Sequence, residues 1–403
     1  MKQSWKKVKL PEVVFFQEGP GLRKFQYTEE GIPFLNIRTL VNDRIDKTLC
    51  GHITEKEVNK KYKHFLLDEG DIICSTSGTI GKLAIVQKED LPVMLNTSVI
   101  RFREMDPSIV FKKFIYYYLK SDLFLFQAKD AAKGQAQVNF GPSHLKKFDF
   151  VLPPLREQQR IVSILDEAFA AIAKAKSNAE QNLKNAKELF ESNLQGIFEN
   201  GNWEQKTLKE ITTKIGSGAT PRGGQESYKS EGTSLVRSMN VHDWEFRERN
   251  LAFIDDKQAK ELNGVTLEEN DVLLNITGAS VARCCVFPKE YLPARVNQHV
   301  SIIRPKKEEV DAKFLNLLLT SKPYKDQLLF TGEQGATRQA ITKAQIESFK
   351  IFIPSLNEQK AIVCKLDSIR DETLKLEVVY EQKIKNFEEL KKSILQKAFA
   401  GEL

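Results

Sequence analysis

Val151-Leu152-Pro153-Pro154-Leu155-Arg156-Glu157-Gln158-Gln159 is answered further along the chain by Phe352-Ile353-Pro354-Ser355-Leu356-Asn357-Glu358-Gln359-Lys360. Each copy opens a long, proline-free, strongly helical stretch. Upstream landmarks recur in the same order. Glu69-Gly70-Asp71-Ile72-Ile73 followed by Ser77-Gly78 returns as Glu269-Asn270-Asp271-Val272-Leu273 followed by Thr277-Gly278. Asn96, Val99 and Phe102-Arg103 return as Asn297, Val300 and Ile303-Arg304, and the offset runs only from 198 (Trp5 to Trp203) to 201. A period of this length is a duplicated domain with its own helix, not a short solenoid unit. A duplicated molecule has two-fold character, and so should what it reads.

The chain of 403 residues is long enough for two or three domains with separate cores. Its 41% apolar and 29% charged content is that of a folded, soluble protein. No run approaches the roughly 18 apolar residues of a membrane helix, and Val13-Val14-Phe15-Phe16 is too short for a secretory core. Five cysteines, with Cys284 and Cys285 adjacent, do not suggest a disulfide framework; a reducing cytoplasm is expected. The net charge is +7, and residues 1–152 alone carry 24 Lys+Arg against 18 Asp+Glu. Residues 200–353 carry 22 against 20, while the helical stretches balance at 6 against 7 and 9 against 9. The positive excess sits in the globular parts, which fits a polyanionic partner there.

Those globular parts read as mixed α and β, giving an α+β class. Strand-like runs are Phe34–Ile37, Ile72–Cys74, Leu83–Val86 and Val99–Phe102, then Val272–Leu274, Cys284–Val286 and Val300–Ile303. Phe114–Leu119 and Phe314–Leu319 read as helices. In the first long stretch Ile161, Leu165, Ile172, Leu183 and Phe190 fall on an apolar seam of alternating four- and three-residue steps. In the second, Ile362, Leu366, Ile369, Leu376, Phe387 and Ile394 do the same. A seam sustained over five turns predicts helix–helix pairing as a coiled coil. About 45 residues make a helix of roughly 65 Å. The chain thus divides into 1–152, 153–200, 201–353 and 354–403: domain, helix, domain, helix. Its end, Ala398-Phe399-Ala400-Gly401-Glu402-Leu403, is expected to meet its beginning near Trp5, much as Gly196–Gly201 runs into Trp203. An antiparallel helix pair satisfies that.

Catalytic signatures are poor. Gly78-Thr79-Ile80-Gly81-Lys82 lacks the four-residue gap and the Ser/Thr of a phosphate loop. No Cys/His set has zinc spacing, and no Asn/Asp-Pro-Pro-aromatic loop or glycine-rich cofactor strand is present. Neither a nucleophile with a base nor a metal-binding carboxylate cluster is recognisable, so no active site and no metal is expected. Binding chemistry is better represented. Ser77, Thr79 and Lys82 lie on a small polar loop between two strands, with Thr277 and Arg283 on its counterpart. Such loops donate to phosphates or base edges. Gln135, Gln137 and Asn139 flank glycine in one copy, Arg338 and Gln339 in the other; Gln and Asn pair with adenine, and Arg with guanine, in the major groove. A third pair of candidates is Asn36 and Arg38, with Arg237 and Asn240.

Together these features resemble the DNA-specificity subunits of type I restriction-modification systems. The resemblance covers the whole chain and rests on the helix starts at Pro153–Gln158 and Pro354–Gln359, the terminal Ala398–Leu403, and the strand-turn units at Gly70–Lys82 and Asn270–Ala282. It implies two target-recognition domains, each reading half of a split double-stranded DNA sequence, with the helices setting the unread spacer. It also implies association with two adenine-methyltransferase subunits and with restriction/translocase subunits. S-adenosylmethionine, ATP and Mg would then reside on those partners, none on this chain. The differing loops of the two copies point to unequal half-sites. A non-catalytic coiled-coil scaffold for protein partners is the alternative reading.

Overall fold

The computed structural model describes residues 5–131, 139–201, 203–333 and 340–403. They form two compact units: residues up to Ala179 together with Gln382–Leu403, and Glu180–Glu381. The fold is α+β, and the same framework is built in each unit.

In the first unit an antiparallel sheet runs Val14–Glu18, Val99–Glu104, Ile72–Ser75, Leu83–Ile85. The second unit repeats that order with Thr212–Ser217, Val300–Pro305, Val272–Asn275 and Cys284–Val286. The central strands are buried, as their β-branched content requires. The repeated aspartate just before them has a structural role. Asp71 accepts from the Asp68 N–H at 2.9 Å and pairs with Arg103, while Asp271 accepts from the Glu268 N–H at 2.7 Å and pairs with Arg304. Both carboxylates are buried, so each arginine satisfies a charge that would otherwise be costly.

Phe34–Ile37 is not the expected strand. The strand is Ile32–Phe34, and the chain then turns through Ile37–Thr39. Asn36 causes the change: its Oδ1 accepts from the Arg38 N–H at 2.8 Å, and its own N–H donates to Thr39 Oγ1 at 3.2 Å. An asparagine offering this local bond competes with strand pairing.

Each globular part closes on a two-stranded pairing that leads into a long helix. Lys6–Lys9 pairs antiparallel with Asp149–Leu152, and Glu204–Thr207 with Lys350–Ile353. The helices are Leu155–Asn200 and Leu356–Ala400. The glutamine of each opening motif anchors its helix. Gln158 Oε1 accepts from the Phe111 N–H at 2.8 Å, and its Nε2 donates to the carbonyls of Ile109 and Pro153 at 2.9 and 2.8 Å. Gln359 repeats this with the Asp311 N–H and the Glu309 and Pro354 carbonyls, all at 2.9 Å. Both side chains are fully buried.

The helices pair antiparallel within each unit. In the first, Lys176 Nζ lies 2.5 Å from Glu388, the Lys391 ammonium sits over the Phe169 ring, and Ile161 and Leu165 share a core with Leu395 and Phe399. In the second, Lys187 lies 3.9 Å from Glu381, and Phe190, Leu194 and Phe198 share a core with Val363 and Leu366. Of the expected seam, Ile161, Leu165, Ile172, Phe190 and Leu366 are buried. Leu183, Ile362, Ile369, Phe387 and Ile394 are half-buried. Leu376 is 40% exposed and departs from the seam. Thr373, three residues earlier on the same helix, is buried instead.

The helix ends complete the cores. Phe399 stacks 5.0 Å from Phe114 in the first unit, and Phe198 lies 5.5 Å from Phe314 in the second. Trp5 joins the first core beside Ala398 and Phe399, so the chain's end meets its beginning there. The second helix stops where Gly401 takes a left-handed φ of +79°, a conformation glycine adopts without penalty.

Candidate nucleic-acid interface

The small polar loops form where two strands of the main sheet turn. In the first unit, Ser75 Oγ donates to the Thr79 carbonyl at 2.6 Å and accepts from the Lys82 N–H at 2.9 Å. Gly78 and Gly81 take positive φ of +63° and +86°, which tightens the turn. A Cβ added at Gly78 would lie 3.5 Å from Ile37 Cδ1, so the turn carrying Asn36 and Arg38 is its neighbour. Thr79 and Arg38 are exposed, and Ser77 and Lys82 half-exposed. The Arg38 and Lys82 head groups have no hydrogen-bonding or ionic partner among the described residues.

In the second unit Asn275 replaces Ser75 and ties the neighbouring turn down, donating to the Ser238 carbonyl at 2.9 Å. Ser238, Met239, Thr277, Gly278, Ala279, Ser280, Arg283 and His299 line one shallow concavity of about 460 Å³. Thr277 and Arg283 are therefore brought together, and Arg283 has no ionic or side-chain hydrogen-bond partner among the described residues.

Three candidates from the sequence take part in local bonding. Asn240 is fully buried: its Oδ1 accepts from the Arg237 N–H at 3.1 Å and its Nδ2 donates to the Arg247 carbonyl at 2.8 Å. It holds a turn and cannot reach a base. One terminal Arg237 nitrogen donates to the Asn250 carbonyl, with the guanidinium 5.3 Å from the centre of the Tyr228 ring, while its Nε is buried with no partner among the described residues. Asn36 spends its Oδ1 on the turn described above.

Gln135, Gln137, Arg338 and Gln339 lie outside the described residues. The residues where those segments return are informative, because Asn139 bridges to Ser77 and Ala340 bridges to Thr277. The glycine-flanked segment of each copy thus rejoins the sheet beside the polar loop of the same copy. Thr76 Oγ1, Ser98 Oγ and Asn139 Oδ1 are buried at this junction in the first unit, with no partner among the described residues. The Thr76 N–H donates to the Ser98 carbonyl at 3.1 Å, and the Ile276 N–H to the His299 carbonyl at 3.0 Å. The backbone is thus repeated while the side chains differ.

Sequence reasoning passed over Ser98, Gln298 and His299. The available signal was their position directly after the Asn96 and Asn297 landmarks, where Thr97-Ser98 becomes Gln298-His299. Among the described residues no group of three His, Cys, Asp or Glu could hold a metal ion, and no helix is long and apolar enough to cross a membrane. Burial pushes the Cys74 and Cys285 thiols up to about 12 and Cys284 well above its ordinary value, so these thiols stay protonated.

The family model for the type I restriction modification DNA specificity domain matches twice, over residues 2–183 and 200–386. The chain belongs to that family. The type I restriction enzyme EcoKI specificity subunit of Escherichia coli K12 is 20% identical over 399 residues, covering 93% of this chain and 83% of the relative. Two solved structures share the fold. One is a chain of a type I R-M system, at a TM-score of 0.73 and 20% identity, covering 100% of this chain and 99% of its own. The other is the HsdS subunit from Thermoanaerobacter tengcongensis, at 0.64 and 19%, covering 100% and 98%. The two matches of the family model fall on the two repeats read from the sequence, so each copy is one specificity domain.

Proposed function

We propose that this member of the specificity family reads an asymmetric, two-part DNA target, one half with each unit. The observation that carries the reading is a pair of matched frames with unmatched side chains. Ser77, Lys82 and Ser98 stand where the second unit has Thr277, Arg283 and His299. Equal frames support two half-sites read in similar poses; unequal side chains support different sequences. On this reading the chain serves as a non-catalytic subunit. It positions two adenine-methyltransferase subunits and the restriction/translocase subunits, which hold S-adenosylmethionine, ATP and Mg. The long paired helices, repeated in both copies, act as the holder for those subunits and as the spacer.

Long-read mapping of methylated adenines in cells carrying the complex tests this. One bipartite motif with two unlike halves is expected, and a palindromic or undivided motif would refute it. Inserting four residues near Asn182, about one helical turn, should change the spacer tolerated and leave both half-sites intact. Altered half-sites would sink the spacer role.

A further inference from the structure

A chain of hydrogen bonds in the second unit sets the direction of one hydroxyl. Thr220 Oγ1 donates to Gln298 Oε1, which turns the Gln298 amide so that its Nε2 donates to His299 Nε2 at 3.1 Å. A ring nitrogen that accepts carries no proton, so the neutral imidazole is protonated at Nδ1. Nδ1 lies 2.5 Å from Thr277 Oγ1 and donates to it. The hydroxyl proton of Thr277 must then point away from the ring, and Thr277 lines the concavity it shares with Arg283. The first unit has no such relay: Ser98 stands at the position of His299, Thr97 at that of Gln298, and glycine (Gly21) near that of Thr220.

We propose that Thr277 and Arg283, with His299 as the positioning residue, form a recognition site that presents donors to a pair of acceptor atoms on DNA. The inference rests on the DNA-reading function proposed above and gives it a chemistry. Two acceptors side by side occur on the O6/N7 edge of guanine and on the oxygens of a phosphodiester, and both accept from arginine. Adenine and cytosine edges present a donor in that groove, which the Arg283 guanidinium cannot accept.

The full chain in complex with its methyltransferase subunits provides the test, read by methylome mapping and by duplex binding across salt concentrations. If the ligand is guanine, Thr277→Val and Arg283→Gln relax one base position in one half-site, lowering discrimination there by about 5- to 150-fold, and leave the other half unchanged. If it is a phosphate, the motif is preserved, affinity falls alike for all sequences, and Arg283→Gln lowers the slope of log K against log salt by about 1. Thr277→Ser retains the hydroxyl and should behave as wild type. His299→Phe should reproduce Thr277→Val, and the double variant should be no worse than either. Gln298 is exposed, so Gln298→Ala breaks the relay without burying a defect and should weaken the same position. Unchanged motif and affinity in Thr277→Val and Arg283→Gln would overturn the proposal, as would a Thr277→Ser as damaging as Thr277→Val. A wild-type complex that yields no bipartite motif would instead overturn the function on which the site rests.

Discussion

Replacing Gln359 by alanine separates two accounts of the repeated Pro-x-Leu-x-Glu-Gln motif. If the motif only starts a helix, Gln359→Ala should be neutral or slightly stabilising, since alanine is the better helix former by a few tenths of a kcal/mol. The structure argues otherwise. Gln359 is fully buried and satisfies three backbone groups: the Asp311 N–H and the carbonyls of Glu309 and Pro354. An orphaned buried N–H costs about 1–3 kcal/mol, and two carbonyls that each lose a donor bring the sum to roughly 3–5 kcal/mol. A unit of this size loses about 2–4 °C of melting temperature per kcal/mol, so the transition of the second unit should fall by about 10 °C. Thermal and urea unfolding of Gln359→Ala beside the surface control Lys360→Ala measures this. Gln359→Glu keeps the acceptor for Asp311 but faces a carboxylate oxygen to two carbonyls, and should lose as much. A shift within 1 °C for Gln359→Ala would refute the anchoring role.

Two further perturbations report on the first unit. Phe399→Ala removes a ring packed on Phe114 and should cost about 3–5 kcal/mol, weakening amide-exchange protection in Lys112–Lys120 and sparing Ala312–Thr320. Loss of protection in the second segment instead would contradict the pairing of the chain's end with its beginning. Hydrogen bonds from Lys7 and Lys9 hold the Asp149 carboxyl below its ordinary value of 3.8. A carboxyl depressed on folding contributes stability above its unfolded value and loses it as pH falls through its folded one. Protection of the Lys6–Lys9 pairing, corrected for intrinsic exchange, should therefore drop below about pH 4, and Asp149→Asn should remove that dependence.

The candidate site was only partly legible. The turn that carries Thr277 and Arg283 was readable, because a short polar run between two apolar runs must be a turn and turns present their side chains to solvent. Asn240 was misread for a related reason. Residue type says what a side chain can donate, not whether a carbonyl seven residues away has already claimed it. His299 was missed because a lone histidine beside a strand carries no pattern; its meaning comes from Gln298, Thr277 and Thr220, the last 79 residues distant in sequence.

Duplication, the central strand runs, helix extents and the lack of a recognisable catalytic set follow from the sequence alone, because period, apolar alternation and motif spacing are local properties of the chain. The tertiary structure alone decided which polar groups are spent on the fold. It turned Gln158 and Gln359 into anchors, buried Asn240, left Leu376 at the edge of its seam, and set the His299 ring against the Thr277 hydroxyl. Each outcome depends on hydrogen-bond partners and packing neighbours that meet only when distant segments fold together, and a buried polar group must take whichever partner that folding supplies.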